Sequence, residues 1–393
     1  MRVLLVNKFY YRRGGDCIAM MNTEALLRER GHEVGVYTMN YPSNVDSANL
    51  VGAAPEVHFG GLPDKVRYLW RMMGWDDVPR QFAAALAEFR PDVVHLHNIH
   101  SYLSPALARA AHEHGARVVW TMHDYKLICP AYTLLHDGQP CEQCLTNPGA
   151  VLRNRCIKQS LAASVAAWAE ARRWSLKKLT LWTDAFVCPS EFMATMLRRG
   201  GVPADKLHVI PNFMPQASTL PAKKEPVAGR YCYIGRLSPE KGVRTLVAVA
   251  RELPYDLMIA GDGPLADELR ELCDAPSNIH LLGQLDAHKV KELMASSQFT
   301  VVPSEWYENN PLSIIESHCA GRPVVAAEIG GIPELIDDHN GILFTAGDDD
   351  SLRRAITKAM GTHWNHEAIA QQAQDRYSSQ RHYEALSHIY HLS

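Results

Sequence analysis

Two glutamates eight positions apart, Glu308 and Glu316, flank a helix start in the stretch PSEWYENNPLSIIESHCAGRPVVAAEIGGIPE, which runs from Pro303 to Glu334. Asn310 suits the cap of that helix and Pro311 its first position, because proline has no N–H to leave unpaired. Ile314, Ile315 and Cys319 give the helix an apolar face, and Gly321 stops it before the strand that begins at Pro323. The chemistry offered is a set of bare N–H groups at a positive dipole end, with a carboxylate on either side. That suits a phosphate carried by a molecule rich in hydroxyls, one Glu holding a ribose and the other a sugar. Each part also has an ordinary explanation. Capped helices between strands are common, and a Glu near a helix N-terminus is stabilising on dipole grounds alone.

A second loop with the same chemistry follows the apolar run Tyr231–Ile234. It reads Gly235-Arg236-Leu237-Ser238-Pro239-Glu240-Lys241-Gly242 and leads into a helix near Val243. Arg236 brings a planar fork and Lys241 a point charge beside a helix N-terminus, an arrangement suited to a diphosphate. Gly261-Asp262-Gly263-Pro264 closes the next strand, and Gly14-Gly15 follows the first strand of the chain. Glycines there allow a ligand close to the backbone, or simply make turns. The full Gly-x-Gly-x-x-Gly pattern is absent, which argues against a nicotinamide enzyme. His123, at the C-terminal end of the strand Arg117–Thr121, stands where parallel sheets present ligand-binding groups. His95 and His97 alternate along the preceding strand and are secondary candidates for acceptor contacts.

Cys129, Cys141, Cys144 and Cys156 form a separate constellation. The central Cys-x-x-Cys has zinc-knuckle spacing, and the outer pair would complete four thiolates around a structural zinc. Four unconnected thiols, or a partly oxidised loop, are the other readings. Pro130, Asp137-Gly138, Pro140 and Asn147-Pro148-Gly149 mark the segment as loop. Beyond it, Arg153, Arg155, Lys158, Arg172, Arg173, Lys177 and Lys178 interleave with Trp168, Trp174 and Trp182, and Lys65–Met73 is a smaller patch of the same kind. Such segments either lie on an anionic membrane or pack their apolar stripe on the domain.

The elements that position these groups alternate strand, turn and helix, which predicts parallel sheets. With 393 residues, 47% of them hydrophobic, the chain can build two cores. The expected organisation is an N-terminal α/β domain over 1–190 that carries the cysteine insertion 129–156. A linker region over 191–229, a second α/β domain over 230–375 and a final amphipathic helix over 376–393 follow. A formal net charge of -3 gives no footprint for nucleic acid. The first residues lack the apolar core and cleavage site of a signal peptide, and no apolar run approaches the roughly 20 residues of a membrane span. The expectation is a cytoplasmic chain whose nine cysteines are mostly reduced.

Taken together, the motifs resemble the retaining glycosyltransferases of family four (glycosyl transferases group 1). Glu308 and Glu316 with the following Gly-x-Pro-Val-Val and Gly-Gly-Ile-Pro-Glu match the donor-site signature. Gly235 to Gly242 matches G-R-x-x-x-E-K-G, His123-Asp124 matches the family's HD, and Gly14-Gly15 followed by Gly31-His32-Glu33-Val34 matches its first βαβ unit. The resemblance implies the GT-B fold, with two Rossmann-like domains facing a central cleft and the last helix crossing back to the first domain. It implies a hexosyltransferase that uses a nucleotide diphosphate sugar and retains anomeric configuration. The acceptor would be a glycan or lipid-linked hydroxyl in cell-surface polysaccharide biosynthesis, at the inner face of the plasma membrane. Arg236 and Lys241 would neutralise the departing diphosphate, Glu308 would hold the donor sugar, Glu316 the ribose, and His123 the sugar and incoming hydroxyl. Gly14, Gly15, Gly235, Gly261, Gly263, Asn310, Pro311 and Leu312 would line the donor site. No catalytic metal is implied, since cationic side chains replace it. Asn309-Asn310 departs from the glycine and aromatic residue common there, which leaves the donor sugar open. A sugar-nucleotide epimerase and a non-catalytic sugar-nucleotide or glycan binder are the alternative readings.

Overall fold

The structure is a computed structural model that describes residues 1–215, 225–273 and 278–391. It divides into two compact units. The first comprises Met1–His136, Cys141–Asn212 and the chain from Gln380 onward, and the second Asp137–Pro140 and Phe213–Ser379.

The first unit is built on seven parallel strands: β1 (Arg2–Val6), β2 (Glu33–Met39), β3 (Leu50–Ala54), β4 (Val93–Leu96), β5 (Arg117–Thr121), β6 (Ala185–Cys188) and β7 (Leu207–Val209), in the order β3-β2-β1-β4-β5-β6-β7. Val3, Leu4, Leu5 and Val6 of β1 are all buried, the uninterrupted apolar run of a strand covered on both faces. Strand order reverses between β1 and β4, which pair from Val3 with Val93 to Val6 with Leu96. Loops leaving the C-terminal ends at such a reversal open the crevice where α/β sheets bind ligands. The helices that matter below are α1 (Gly15–Glu29), α2 (Leu62–Met73), α3 (Leu161–Arg173), α4 (Leu176–Trp182) and α5 (Glu191–Arg199).

The second unit has six parallel strands: β8 (Arg230–Ile234), β9 (Asp256–Ala260), β10 (Ile279–Gly283), β11 (Thr300–Val302), β12 (Val324–Ala327) and β13 (Gly341–Phe344), in the order β10-β9-β8-β11-β12-β13. Its reversal lies between β8 and β11. Its relevant helices are α6 (Val243–Ala250) and α7 (Leu312–Cys319). Asp348 caps the helix Asp349–Gly361 by accepting a hydrogen bond from the Ser351 N–H, the capping role its position suggests.

The last helix, α8 (Ser379–Tyr390), belongs to the first unit, where Leu386, Ile389 and Tyr390 enter the core beside Val3, Leu5 and Val93. The expected linker over 191–229 needs correction. Its first part forms α5 and β7, which complete the first sheet, so the first unit reaches Asn212 rather than 190. Met193, Ala194, Met196 and Leu197 give α5 a buried face, and that burial, not composition, decides its place. Residues 216–224 of the expected linker, and the last two residues of the expected terminal helix, lie outside the described residues. Strand β3 carries almost no sequence signal, since Gly52, Ala53 and Ala54 are poor strand formers and the strand sits at an edge.

Candidate functional site

In the second unit the loops after β8 and β11 are locked together. The Glu305 N–H donates to the Glu240 carbonyl at 2.9 Å, and the Thr245 hydroxyl donates to Glu305 at 2.6 Å. Gly242 adopts φ +64°, and a Cβ there would lie 1.8 Å from the Pro303 carbonyl oxygen, so only glycine lets these backbones meet. Gly261 plays the same part for the loop after β9. At φ +148° its missing Cβ would fall 1.8 Å from the Gly235 carbonyl oxygen. The expected Gly235, Arg236, Lys241, Gly261, Gly263 and Glu308 are thereby gathered at the C-terminal edge of one sheet.

Within that frame Lys241 Nζ lies 2.6 Å from Glu308 Oε1, and the Ser304 hydroxyl donates to the same oxygen at 2.6 Å. Glu308 is 6% exposed. Burial pushes its carboxyl upward, but the Lys241 ammonium and the two hydrogen bonds prevail and hold it below the usual carboxylate range. Lys241 also stands 5.2 Å from the centre of the Trp306 ring. Arg236 is exposed, while the Tyr233 hydroxyl donates to its backbone carbonyl at 2.7 Å and fixes its loop. The edge thus offers, among the described residues, an exposed guanidinium, an ammonium shared with a buried carboxylate, and several glycine turns. Ser304 and Trp306 escaped the sequence reading, because a Ser or Trp in a loop carries no signal until its neighbours are known.

The helix start differs in detail from expectation. Pro311 occupies the cap position itself, with φ -66° and ψ 118°, and Leu312 is the first helical residue. Asn310 is therefore not the side-chain cap, since proline's fixed φ combines with an extended ψ to end the loop one residue later. Glu316 lies on the second turn, and burial pushes its carboxyl up to about 7 against the lowering influence of Lys291. Glu308 and Glu316 consequently prefer different protonation states, one held charged by its partner and the other favoured neutral.

In the first unit, Gly14 takes the cap position of α1 and Gly15 begins it. The loops after β1 and β4 are joined by bonds from the Lys8 N–H to the Asn98 carbonyl and from the Asn98 N–H to Asn7 Oδ1. Three imidazoles run along the sheet. His95 stacks on His97 with ring centres 4.5 Å apart, and His97 Nδ1 lies 2.9 Å from His123 Nε2. His95 is held by the Tyr390 hydroxyl at 2.5 Å and the Thr121 hydroxyl at 2.6 Å. His95 and His97 are both buried, which places them as supports behind His123 instead of surface contacts. Burial lowers the His123 pKa to about 4, with Asp16 pulling it up and Lys8 pulling it down. Burial raises the Asp16 carboxyl, but the charges of a protonated His123 and of Lys8, with hydrogen bonds from the Asn98 amide at 2.7 Å and the Cys17 N–H, outweigh it and hold the group below the usual carboxylate range. Lys8, Asp16 and Asn98 were not foreseen. The acidic residue in the first turn after Gly14-Gly15 was the available signal.

The cysteine segment contains two four-residue helices, Gln143–Thr146 and Ala150–Arg153, where only loop was expected. The Cys129 and Cys144 thiols are hydrogen-bonded to each other, Cys129 Sγ accepts from the Leu134 and Ala131 N–H groups, and Cys141 and Cys156 lie within electrostatic range of Cys144. Among the described residues, no three His, Cys, Asp or Glu side chains converge closely enough to hold a metal as they stand.

Two outcomes follow from the carboxylates. Lys241→Ala strands the Glu308 charge in the interior and should cost about 3 kcal/mol, the low end for breaking a buried pair. Lys241→Met with Glu308→Gln should recover most of it, read by urea denaturation. For Glu316 the folded pKa is raised, so its contribution to stability is complete below the ordinary carboxylate range and is lost as pH climbs through about 7. The melting temperature should therefore fall by more in the wild type than in Glu316→Gln between about pH 5 and pH 8, as calorimetry across that range would show.

Comparison with known proteins adds to this geometry. Residues 20–216 match the family described as Glycosyltransferase Family 4, and residues 219–376 match Glycosyl transferases group 1. An uncharacterized 42.6 kDa protein in the cps region of Klebsiella pneumoniae is 24% identical over 90% of this chain and 95% of its own length. The sulfoquinovosyl transferase SQD2 of Arabidopsis thaliana is 25% identical over 82% of this chain, a stretch that makes up 59% of the plant protein. Among solved structures, Anabaena HepE in complex with UDP-glucose superposes with a TM-score of 0.69 at 17% identity, covering 99% of this chain and 100% of the other. Such neighbours are GT-B glycosyltransferases, and the two parallel-sheet α/β units share that architecture. On the match across its N-terminal half, joined by the group 1 match across the rest, the chain belongs to glycosyltransferase family 4.

Proposed function

We propose that this chain transfers a hexose from a nucleotide diphosphate sugar to a hydroxyl of a glycan or lipid-linked acceptor, with anomeric configuration retained. The observation that carries the reading is the Lys241–Glu308 pair, held by Ser304 at a glycine-locked loop edge with Arg236 exposed on the same loop. In this reading the donor diphosphate takes Arg236 and Lys241 as counter-charges, and they neutralise the charge that develops as it departs. Glu308, kept ionised and fixed, holds donor hydroxyls and supports positive character at the anomeric carbon. Glu316 accepts from the ribose, and Gly235, Gly261, Gly263, Asn310, Pro311 and Leu312 line the donor. His123, neutral over the working pH range, positions sugar and acceptor hydroxyls by hydrogen bonding, with Gly14 and Gly15 close by on the same sheet edge. No catalytic metal has a role in this scheme, because side-chain cations serve the phosphates.

The neighbour solved with UDP-glucose supports a uridine donor, and the relative from a cps region supports a place in surface polysaccharide synthesis. A lipid-linked acceptor would put the reaction at the inner face of the plasma membrane. Thermal-shift titration with UDP-, GDP- and dTDP-sugars, followed by product analysis, tests the scheme. One nucleotide series should raise the melting temperature, and the effect should vanish in Arg236→Ala/Lys241→Ala. With acceptor present, NMR of the product should show the donor's anomeric configuration. Inversion would overturn retention, while interconversion of the donor without acceptor would replace transfer with epimerisation.

We also propose a structural zinc at Cys129, Cys141, Cys144 and Cys156. Their gathering on one segment and the N–H donors on Cys129 support it. The thiols would have to rotate inward on binding the ion. Elemental analysis of protein purified without chelators should find zinc, and Cys141→Ser/Cys144→Ser should lose it. Metal-free wild type would dismiss the site.

A further inference from the structure

Helix α2 buries Arg71 and Met72 and leaves most of its large apolar side chains outside. Its inward face carries Arg71, 3% exposed, whose guanidinium is satisfied by Asp76 and by the Pro55 and Tyr102 carbonyls, each at 3.1 Å. Its outward face carries Leu62, Val66, Leu69 and Trp70, which are 74%, 44%, 38% and 54% exposed. Positions 62, 66, 69 and 70 recur at helical spacing, so they form one continuous stripe. Phe59 just before the helix and Trp75 just after it are more than half exposed and extend the stripe at both ends. Folding ordinarily buries such a stripe, and a contiguous apolar surface left outside marks an interaction site.

The charge around the stripe selects the partner. Lys65 and Arg67 are exposed on the same helix, with Asp64 3.7 Å from Arg67, while Asp76 is taken up by Arg71 and Asp77 pairs with Arg80. Helix α3 packs beside α2, fastened where the Trp174 indole N–H donates to the Met72 carbonyl at 2.7 Å. It exposes Leu161 and Val165, and Arg172 reaches over the Trp168 ring at 5.5 Å. Helix α4 adds exposed Leu181, Lys177 and Lys178. From Leu161 to Trp182 the only acidic residue is Glu170, and it is buried against Lys126 and Ser101. The exposed charges of α3 and α4 are therefore all cationic. Apolar side chains and tryptophans bordered by lysine and arginine are the pattern of a helix that lies in the interface of an anionic bilayer. Among the described residues no helix is long and apolar enough to cross one.

We propose that the outward face of α2, supported by the cations of α3 and α4, docks this protein on an anionic phospholipid surface with α2 lying in the plane of the headgroups. This rests on the surface alone and stands or falls independently of the donor chemistry. The test is flotation of the full chain with vesicles of phosphatidylcholine, or of phosphatidylcholine mixed with phosphatidylglycerol. The protein should float with the mixed vesicles and stay behind with the neutral ones, and added salt should release it. Leu62→Ser/Leu69→Ser/Trp70→Ser should weaken vesicle binding tenfold or more, with only a small drop in melting temperature, because Leu62 and Trp70 are more than half exposed and Leu69 is partly so. Lys65→Glu/Arg67→Glu should abolish the preference for the anionic lipid. No flotation at low salt overturns the proposal, as does flotation that ignores the apolar triple variant. A triple variant that instead abolishes self-association in sedimentation velocity would assign the stripe to a second copy and overturn it too.

Discussion

Glu308 is a carboxylate removed from water and kept charged, and much of the second unit is arranged around that expense. An ionised carboxylate in the interior needs a cation and hydrogen bonds at good geometry, which Lys241 and Ser304 supply at 2.6 Å each. Lys241 reaches it only because the loops after β8 and β11 run against each other, and they can do so only because Gly242 has no side chain. The parallel sheet sets those loops side by side, since β8 and β11 are neighbours at the reversal of strand order. Sheet topology, a glycine contact and an ion pair therefore form one dependent series. A loose pair of charged loops would bind anions, but it would not hold a carboxylate at a fixed place among them.

The first unit solves a different problem with neutral groups. His95, His97 and His123 are stacked or hydrogen-bonded in sequence, anchored at the far end by Tyr390 of the last helix. Burial favours the uncharged imidazole, so this series fixes a hydrogen-bonding ring without placing positive charge along the sheet. Asp16 and Lys8 tune its half-buried end, His123, from the loop and helix after β1. The last helix thereby links the end of the chain to the positioning of a residue far away in sequence.

Much was legible in the sequence because it depends on local chemistry. The apolar runs of β1, β5, β9 and β12, the glycine turns behind them and the Arg236/Lys241 loop announce parallel α/β units with a basic loop at a sheet edge. Their signals lie within a few residues of each other. The motifs from Gly235 to Glu334 also carry the family resemblance, and the family matches agree with it. Where signals were weak, the reading slipped. Residues from Glu191 to Val209 read as linker, yet β7 pairs with β6 at the edge of the first sheet and α5 buries Met193, Ala194, Met196 and Leu197.

The sequence by itself therefore determined the periodicities, the turns and the inventory of charged and thiol groups, since these follow from side-chain type and near-neighbour spacing. Only the tertiary structure decided which charges meet. It joined Lys241 to Glu308, set Asp16 beside His123, and turned Glu170 inward among basic neighbours. It also decided that α2 buries its arginine and shows its leucines and tryptophan to solvent, which no helical pattern can reveal. A pattern states that a helix has two faces. Which face is covered depends on partners such as Asp76 and the Tyr102 carbonyl, and these are brought near only when the chain has folded.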